Sequence, residues 1–200
     1  MSEAVTTLAL TTALLLGSPG PAPLALAGVG ASFGFKQGLG FLAGILLGLL
    51  VAISLVALGL GSLFEQFPTA KLICQGIATA YLVYVAYKIA SNTSGIEQRA
   101  GAAPSFKDGF ILNLINPKAY AAFLAIFANF MIPATSPVYS AMLTATVSFI
   151  VAVIVDGLWM AIGSKLRPFF AKPEQAKWLR IGFAALLLLS IAVSFLHQLI

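Results

Sequence analysis

The sequence has little of what most catalytic and metal centres are built from. Only 8% of its 200 residues are charged, and it carries one cysteine and one histidine. Cys74, alone, excludes an intrachain disulfide, a CxxC redox pair and a thiolate metal cluster. His197 lies at the far C-terminal end and reads as an interfacial residue, with no His, Cys or carboxylate at ligand spacing beside it. No glycine-rich phosphate loop and no nucleophile constellation is present. These shortages predict that the chain is not an enzyme and holds no metal or cofactor. They also weigh against a membrane oxidoreductase. The excess of positive charge, +5, has no folded platform on which to bind nucleic acid, so no nucleic-acid partner is expected.

What is abundant is apolar. Hydrophobic residues make up 60% of the chain, and mean hydropathy is +1.01, far from the soluble range. About 20 apolar residues cross a hydrocarbon core of roughly 30 Å. Reading between charges and turn residues gives six such segments, at roughly 3–33, 39–64, 70–88, 108–131, 138–164 and 178–198. The longest connection, 89–107, is a short linker. The expected fold is therefore an all-α integral membrane protein of six transmembrane helices, a single membrane transporter domain over 1–200 surrounded by membrane lipid. The alternative at the N-terminus is a signal peptide, with Ala25-Leu26-Ala27 as its cleavage site. Glu3 and the absence of Lys or Arg before the apolar run argue against it.

The loops orient the spans. Lys36, Lys88, Arg99, Lys107, Lys165, Arg167, Lys172, Lys177 and Arg180 fall on one side, and Lys71 alone falls on the other. Basic residues accumulate in cytoplasmic loops, so this asymmetry places both termini outside. Three spans in each half mean that the second half enters the membrane from the opposite face. That predicts a 3+3 inverted repeat, with repeat one at about 1–88, a linker at about 89–105 and repeat two at about 106–200.

Two proline breaks interrupt the first and fourth spans. One is Gly17-Ser18-Pro19-Gly20-Pro21-Ala22-Pro23 and the other is Asn116-Pro117-Lys118. Proline removes a backbone donor and clashes with the preceding turn. In hydrocarbon, freed backbone groups are tolerated only against protein or a wet cavity. Matched broken helices in two halves are the sequence pointer to a transporter's substrate site. Gly20, Pro21, Pro23, Asn116 and Pro117 are thus candidate substrate-site residues. Each proline suits the first turn of a half-helix whose positive end binds a carboxylate, and Asn116 suits the N-cap. The other reading is a pair of kinks that serve packing alone.

Two charges lie deep in the apolar segments. Lys118 is about 16 Å and Asp156 about 13 Å from the same membrane face at 1.5 Å per helical residue. Intramembrane charges are costly and default to functional roles. Lys118 suits the carboxylate of an amino acid, and Asp156 its ammonium group. A static Lys118–Asp156 ion pair remains the structural alternative. Asp156 also suits proton coupling, because a proton and a substrate ammonium compete for the same carboxylate. Trp159 shares the helix face of Asp156. Asn113 lies one turn before Asn116, and Tyr81 and Tyr84 step along the third span, so these too are candidate lining residues. With one intramembrane acid available, the substrate expected is a small, neutral amino acid or derivative. A divalent-metal or other ion exporter is the alternative function, and it lacks clustered oxygen ligands here.

Gly40, Gly44 and Gly48, preceded by Gly30, Gly34 and Gly38, recur every four residues. Such a stripe lets another backbone approach, either inside one subunit or across a homodimer seam.

Several of these stretches together resemble the LysE/RhtB family of amino-acid exporters. They are Gly20-Pro21-Ala22-Pro23-Leu24, Gly34-Phe35-Lys36-Gln37-Gly38, Gly44-Ile45-Leu46-Leu47-Gly48 and Ala80-Tyr81-Leu82-Val83-Tyr84-Val85-Ala86-Tyr87-Lys88. Phe106-Lys107-Asp108-Gly109, Leu114-Ile115-Asn116-Pro117-Lys118-Ala119, and Asp156 with Trp159 complete the set in order along the chain. One departure is Pro23, where many members carry Asn, so an amide contact made there is missing. The resemblance implies secondary active export of amino acids or their derivatives across the bacterial inner membrane, driven by proton antiport.

Overall fold

Helix is the only regular element among the described residues, as a chain of apolar, helix-compatible segments in lipid requires, since every backbone polar group must be satisfied internally. The structure is a computed structural model that describes residues 2–59 and 103–170, with isolated positions 69, 73, 80, 83, 178, 181, 182 and 185. The expected third and sixth spans, including Tyr81 and Tyr84, and the linker from 89 to 102 lie outside the described residues apart from those single positions.

Among the described residues six helices follow in order: α1 (Ser2–Gly17), α2 (Pro21–Phe33), α3 (Phe35–Ala57), α4 (Phe106–Leu114), α5 (Pro117–Asn129) and α6 (Pro137–Phe170). α1 stops where Pro19 forces Ser18 out of the helical region. Ser18 Oγ then donates to the Leu15 carbonyl at 3.0 Å, satisfying one of the helix's last acceptors. The chain restarts at Pro21 after an extended Gly20, bent by 67°. α4 begins on a capping box in which Ser105 and Asp108 satisfy each other's backbone amides. It ends at Leu114, and α5 resumes at Pro117 with a 56° bend. α6 is capped by Ser136, whose Oγ accepts from the Tyr139 amide at 3.2 Å.

α3 and the Pro137–Leu166 stretch of α6 are long and apolar enough to cross a membrane, and four spans result if each bent pair counts as one. The described residues are thus all-helical, with helices of membrane-spanning length and composition. Two boundaries differ from the sequence expectation. The loop expected near 34–38 is the single residue Gly34, whose φ of 87° is open to glycine and turns the chain in one step. α3 consequently starts at Phe35 and ends at Ala57 rather than running from 39 to 64. The first break is also tighter than expected, because Pro21 and Pro23 lie inside α2's first turn.

Packing is swapped between the halves. α3 lies along both α4 and α5, while α6 lies along both α1 and α2. Glycines set these approaches. A side chain at Gly44 or Gly48 would strike the α4 backbone around Phe106 and Phe110, and one at Gly109 would strike Phe41 and Ile45 of α3. Gly30 meets Met160, and Gly163 meets Ala27, in the same way between α2 and α6. Most of the glycine stripe is therefore occupied inside the subunit, and Gly40 alone of the α3 set meets nothing among the described residues.

The apolar core divides into two clusters. One gathers Leu8 and Leu16 of α1, Leu49 and Ile53 of α3, Phe123 and Ile126 of α5, and Ala152 of α6. The other gathers Ala22 and Leu26 of α2, Phe41 and Ile45 of α3, Leu112 of α4, and Met160 of α6. Every chain segment changes cluster at one level: between 16 and 22, 45 and 49, 112 and 119, and 152 and 160. The two bends and the deep charges all fall in that dividing band.

Candidate functional site

The band between the clusters is organised by the backbone groups that the bends set free. At the C-terminal end of α1, three successive carbonyls have lost their helical donors, and all three find donors from the second half of the chain. The Trp159 indole of α6 donates to the Gly17 carbonyl at 3.1 Å. The Lys118 ammonium donates to the Ser18 carbonyl and, at 3.5 Å, to that of Pro19. A cation and a strong donor at a helix C-terminus are electrostatically favourable. Lys118 reaches across because Gly20 has no side chain: a Cβ there would lie 2.8 Å from Lys118 Cδ.

At the second bend, Asn116 accepts from the Lys118 amide at 3.2 Å through its side chain, as an N-cap should. Its amide nitrogen donates to Asn113 Oδ1 at 3.2 Å, and Asn113 in turn donates to the Ile45 carbonyl at 3.1 Å. Asn113 and Asn116 are 1% and 3% exposed. This chain of amides ties α5 through α4 to α3, with buried groups that must be paired.

A small cavity opens among Leu16, Ala22, Pro23, Leu49, Asn113, Asn116, Lys118, Ala119 and Asp156. Its volume open to the centre of a water-sized sphere is about 20 Å³, where one water needs roughly 10–15 Å³ on that measure. An amino acid needs more, so binding one requires this region to expand.

Of the residues singled out in the sequence, Pro23, Asn113, Asn116, Lys118 and Asp156 line this cavity. Gly20, Pro21 and Trp159 adjoin it through the first bend, and Pro117 opens α5 beside it. Asp156 is 5% exposed, and among the described residues neither a hydrogen bond nor an ion pair holds it. The depth argument placed Lys118 and Asp156 together, and they share the cavity. Lys118 nevertheless spends its donors on the end of α1. The expectation of two free, anion-binding helix ends is altered too. Pro21 and Pro23 carry no N–H, which leaves Ala22 as the donor of α2's first three residues. In α5, the Lys118 and Ala119 amides are engaged by the side chain and carbonyl of Asn116. Leu16, Ala22, Leu49 and Ala119 were not anticipated, and their only sequence signal is adjacency to a bend or to the glycine stripe. No three His, Cys, Asp or Glu side chains converge among the described residues.

Comparison with known proteins places these features in context. The family model of the LysE type translocator matches residues 13–199. A homoserine/homoserine lactone efflux protein of Salmonella typhimurium is 25% identical over 185 residues, covering 90% of each chain. Its counterpart in Salmonella typhi is 26% identical over the same length. A cysteine/O-acetylserine efflux protein of Escherichia coli is 30% identical over 118 residues, 59% of this chain and 60% of the other. These relatives are efflux transporters rather than enzymes. No solved structure matches the chain significantly.

Proposed function

The chain belongs to the LysE type translocator family, and on that premise we propose that it exports small, neutral amino acids or their derivatives across a bacterial inner membrane by proton antiport. The observation that carries this reading is Asp156, a buried carboxyl that shares a small cavity with Asn113, Asn116 and Lys118 and, among the described residues, has no hydrogen bond and no ion pair at contact distance. A buried charge with no partner at contact distance is expensive, even with the Lys118 ammonium across the cavity. A site that keeps one is fitted to a visitor that supplies the compensation, here a proton or a substrate ammonium in alternation. The two occupants exclude each other, which is the thermodynamic condition for antiport.

Lys118 supplies the second half of the recognition. A substrate carboxylate competes with the Ser18 and Pro19 carbonyls for its ammonium group, and a carboxylate is the stronger acceptor. Binding therefore releases α1's end from α5 while it anchors the substrate. Trp159, bonded to Gly17, borders the same bend. The relatives' names suggest homoserine, cysteine and O-acetylserine as first compounds to test.

In this reading α1–α2 and α4–α5 are the broken first and fourth spans of a 3+3 inverted repeat, with both termini outside. The swapped packing of α3 on α4–α5 and of α6 on α1–α2 supports it, since a pseudo-two-fold relation exchanges those two arrangements. The test is counterflow in proteoliposomes loaded with labelled homoserine, cysteine or O-acetylserine, with and without an imposed proton gradient. Gradient-dependent accumulation that Asp156→Asn abolishes is the expected result. Exchange of divalent metal ions with no exchange of any amino acid would overturn the proposal.

A further inference from the structure

α6 carries a row of hydroxyls that the binding site leaves unused. Ser140, Thr144 and Ser148 step by four residues along one face, followed by Ala152 and then Asp156, and all five are buried. Beside this row, α1 buries Thr12 completely. The outer part of the row is engaged: Ser140 donates to the Ile132 carbonyl, and the Ile132 amide donates to Thr144 Oγ1 at 3.0 Å. The Thr12 and Ser148 hydroxyls, by contrast, are fully buried without any hydrogen-bond partner among the described residues.

Their depths agree. Gly17 of α1 and Val155 of α6 stand at one level, because a Cβ on Gly17 would lie 3.4 Å from Val155 Cγ1. Counting back along two helices that begin at the same end, Thr12 is about 7.5 Å and Ser148 about 10.5 Å from that level. Both lie between Asp156 and the end of the bundle that carries Ser2 and Ile132. Buried polar groups are nearly always satisfied, and a native orphan needs an explanation. Hydroxyls in helices ordinarily bond back to the carbonyl four residues earlier. Thr144 and Thr146 do so, at 2.8 Å each.

We infer that Thr12 and Ser148, with the Ser140–Thr144 pair at its mouth, line a passage that fills with water in another conformation and connects Asp156 to that membrane face. Ile132 is its plug. In the present conformation its backbone occupies Ser140 and Thr144, and opening exchanges those two bonds for water. The inference rests on the export reading only for the passage's purpose, which is to bring protons and released substrate between Asp156 and bulk water.

The experiment uses single cysteines in a Cys74→Ser background, treated with a membrane-impermeant, charged thiol reagent from the face carrying residue 2. Cysteines at 12 and 148 are expected to react, while cysteines at Phe123 and Ile126, equally buried in the apolar cluster, stay unlabelled. Labelling at neither 12 nor 148, or equal labelling at the apolar controls, would overturn the passage. This readout needs no substrate, so it stands or falls separately from the transported compound. As a second measurement, Thr12→Val and Ser148→Ala should keep or raise the melting temperature, because each removes an unpaired buried group, and should lose transport. Variants that unfold, or that transport normally, would refute the inference.

Discussion

Gly20→Ala isolates the contact on which the proposed mechanism turns. Gly20 is extended, with φ of −177° and ψ of −176°, a conformation that alanine adopts without strain, so the added methyl acts only through space. It would meet Lys118 at Cδ, 2.8 Å away, and at Nζ, 3.0 Å away. Those atoms are the movable end of a flexible side chain. The backbone can stay in place while the lysine leaves the Ser18 and Pro19 carbonyls. Losing a charge-assisted hydrogen bond costs about 1.5–3 kcal/mol, and an off-rotamer lysine about 0.5–1.5 kcal/mol. The expected destabilisation is therefore about 2–4 kcal/mol. The assay is a double-mutant cycle by equilibrium unfolding in detergent micelles, with Lys118→Ala as the second change. In the Lys118→Ala background the stem is gone, and Gly20→Ala should cost almost nothing. An equal cost in both backgrounds would refute the proposed Lys118 link to the end of α1.

Three further outcomes follow from the same geometry. Gly44→Ala drives a methyl into the Phe106 carbonyl and the Phe110 amide of α4, immovable backbone, so the folded yield should fall sharply where Gly40→Ala, which meets nothing, leaves it unchanged. Asn116→Ala removes the α5 cap and orphans the buried Asn113 side-chain Oδ1; thermal unfolding should register a loss of about 2–4 kcal/mol, and Asn116→Ser should recover the capping share alone. Asp156→Asn freezes a neutral side chain, so proteoliposomes should lose gradient-driven accumulation while the protein keeps its melting temperature. A static Lys118–Asp156 pair would instead give an unstable Asp156→Asn, rescued by Lys118→Met with Asp156→Leu.

The two bends were legible because their causes are local. Pro19, Pro21, Pro23 and Pro117 break or start helices wherever they stand, and Asn116 is a cap by its chemistry alone. The single-residue turn at Gly34 was read as a longer loop because the charge of Lys36 separates the apolar segments 3–33 and 39–64, whereas a glycine at positive φ needs only one residue to turn the chain. The glycine stripe announced an approaching backbone, but the fold decides which one arrives. For Gly44 and Gly48 it is α4, more than fifty residues along the chain. The hydroxyl row on α6 was overlooked for a related reason. Ser and Thr in apolar helices usually bond to their own backbone, and only the structure reveals that Thr144 does and Ser148 does not.

Lys118 shows most clearly what sequence depth can and cannot decide. Two opposite charges at one depth invite a pairing, and the cavity does bring Lys118 and Asp156 together. What the spacing cannot foresee is a competitor. The bend at Ser18–Gly20 leaves carbonyls at the end of α1, and those carbonyls must be satisfied in any conformation that buries them. Lys118 and Trp159, on two different helices of the second half, satisfy them. Asn116 closes the opposite helix end within its own half. Among the described residues, the polar band is thus hydrogen-bonded except at Asp156, which has only the Lys118 charge across the cavity. In the proposed mechanism, such a site stays closed at little expense when Asp156 is protonated, and favours opening when a substrate offers both a cation for Asp156 and an anion for Lys118. On that proposal, the asymmetry rather than a preformed ion pair would give this fold a physical route from substrate binding to movement of the α1–α2 bend.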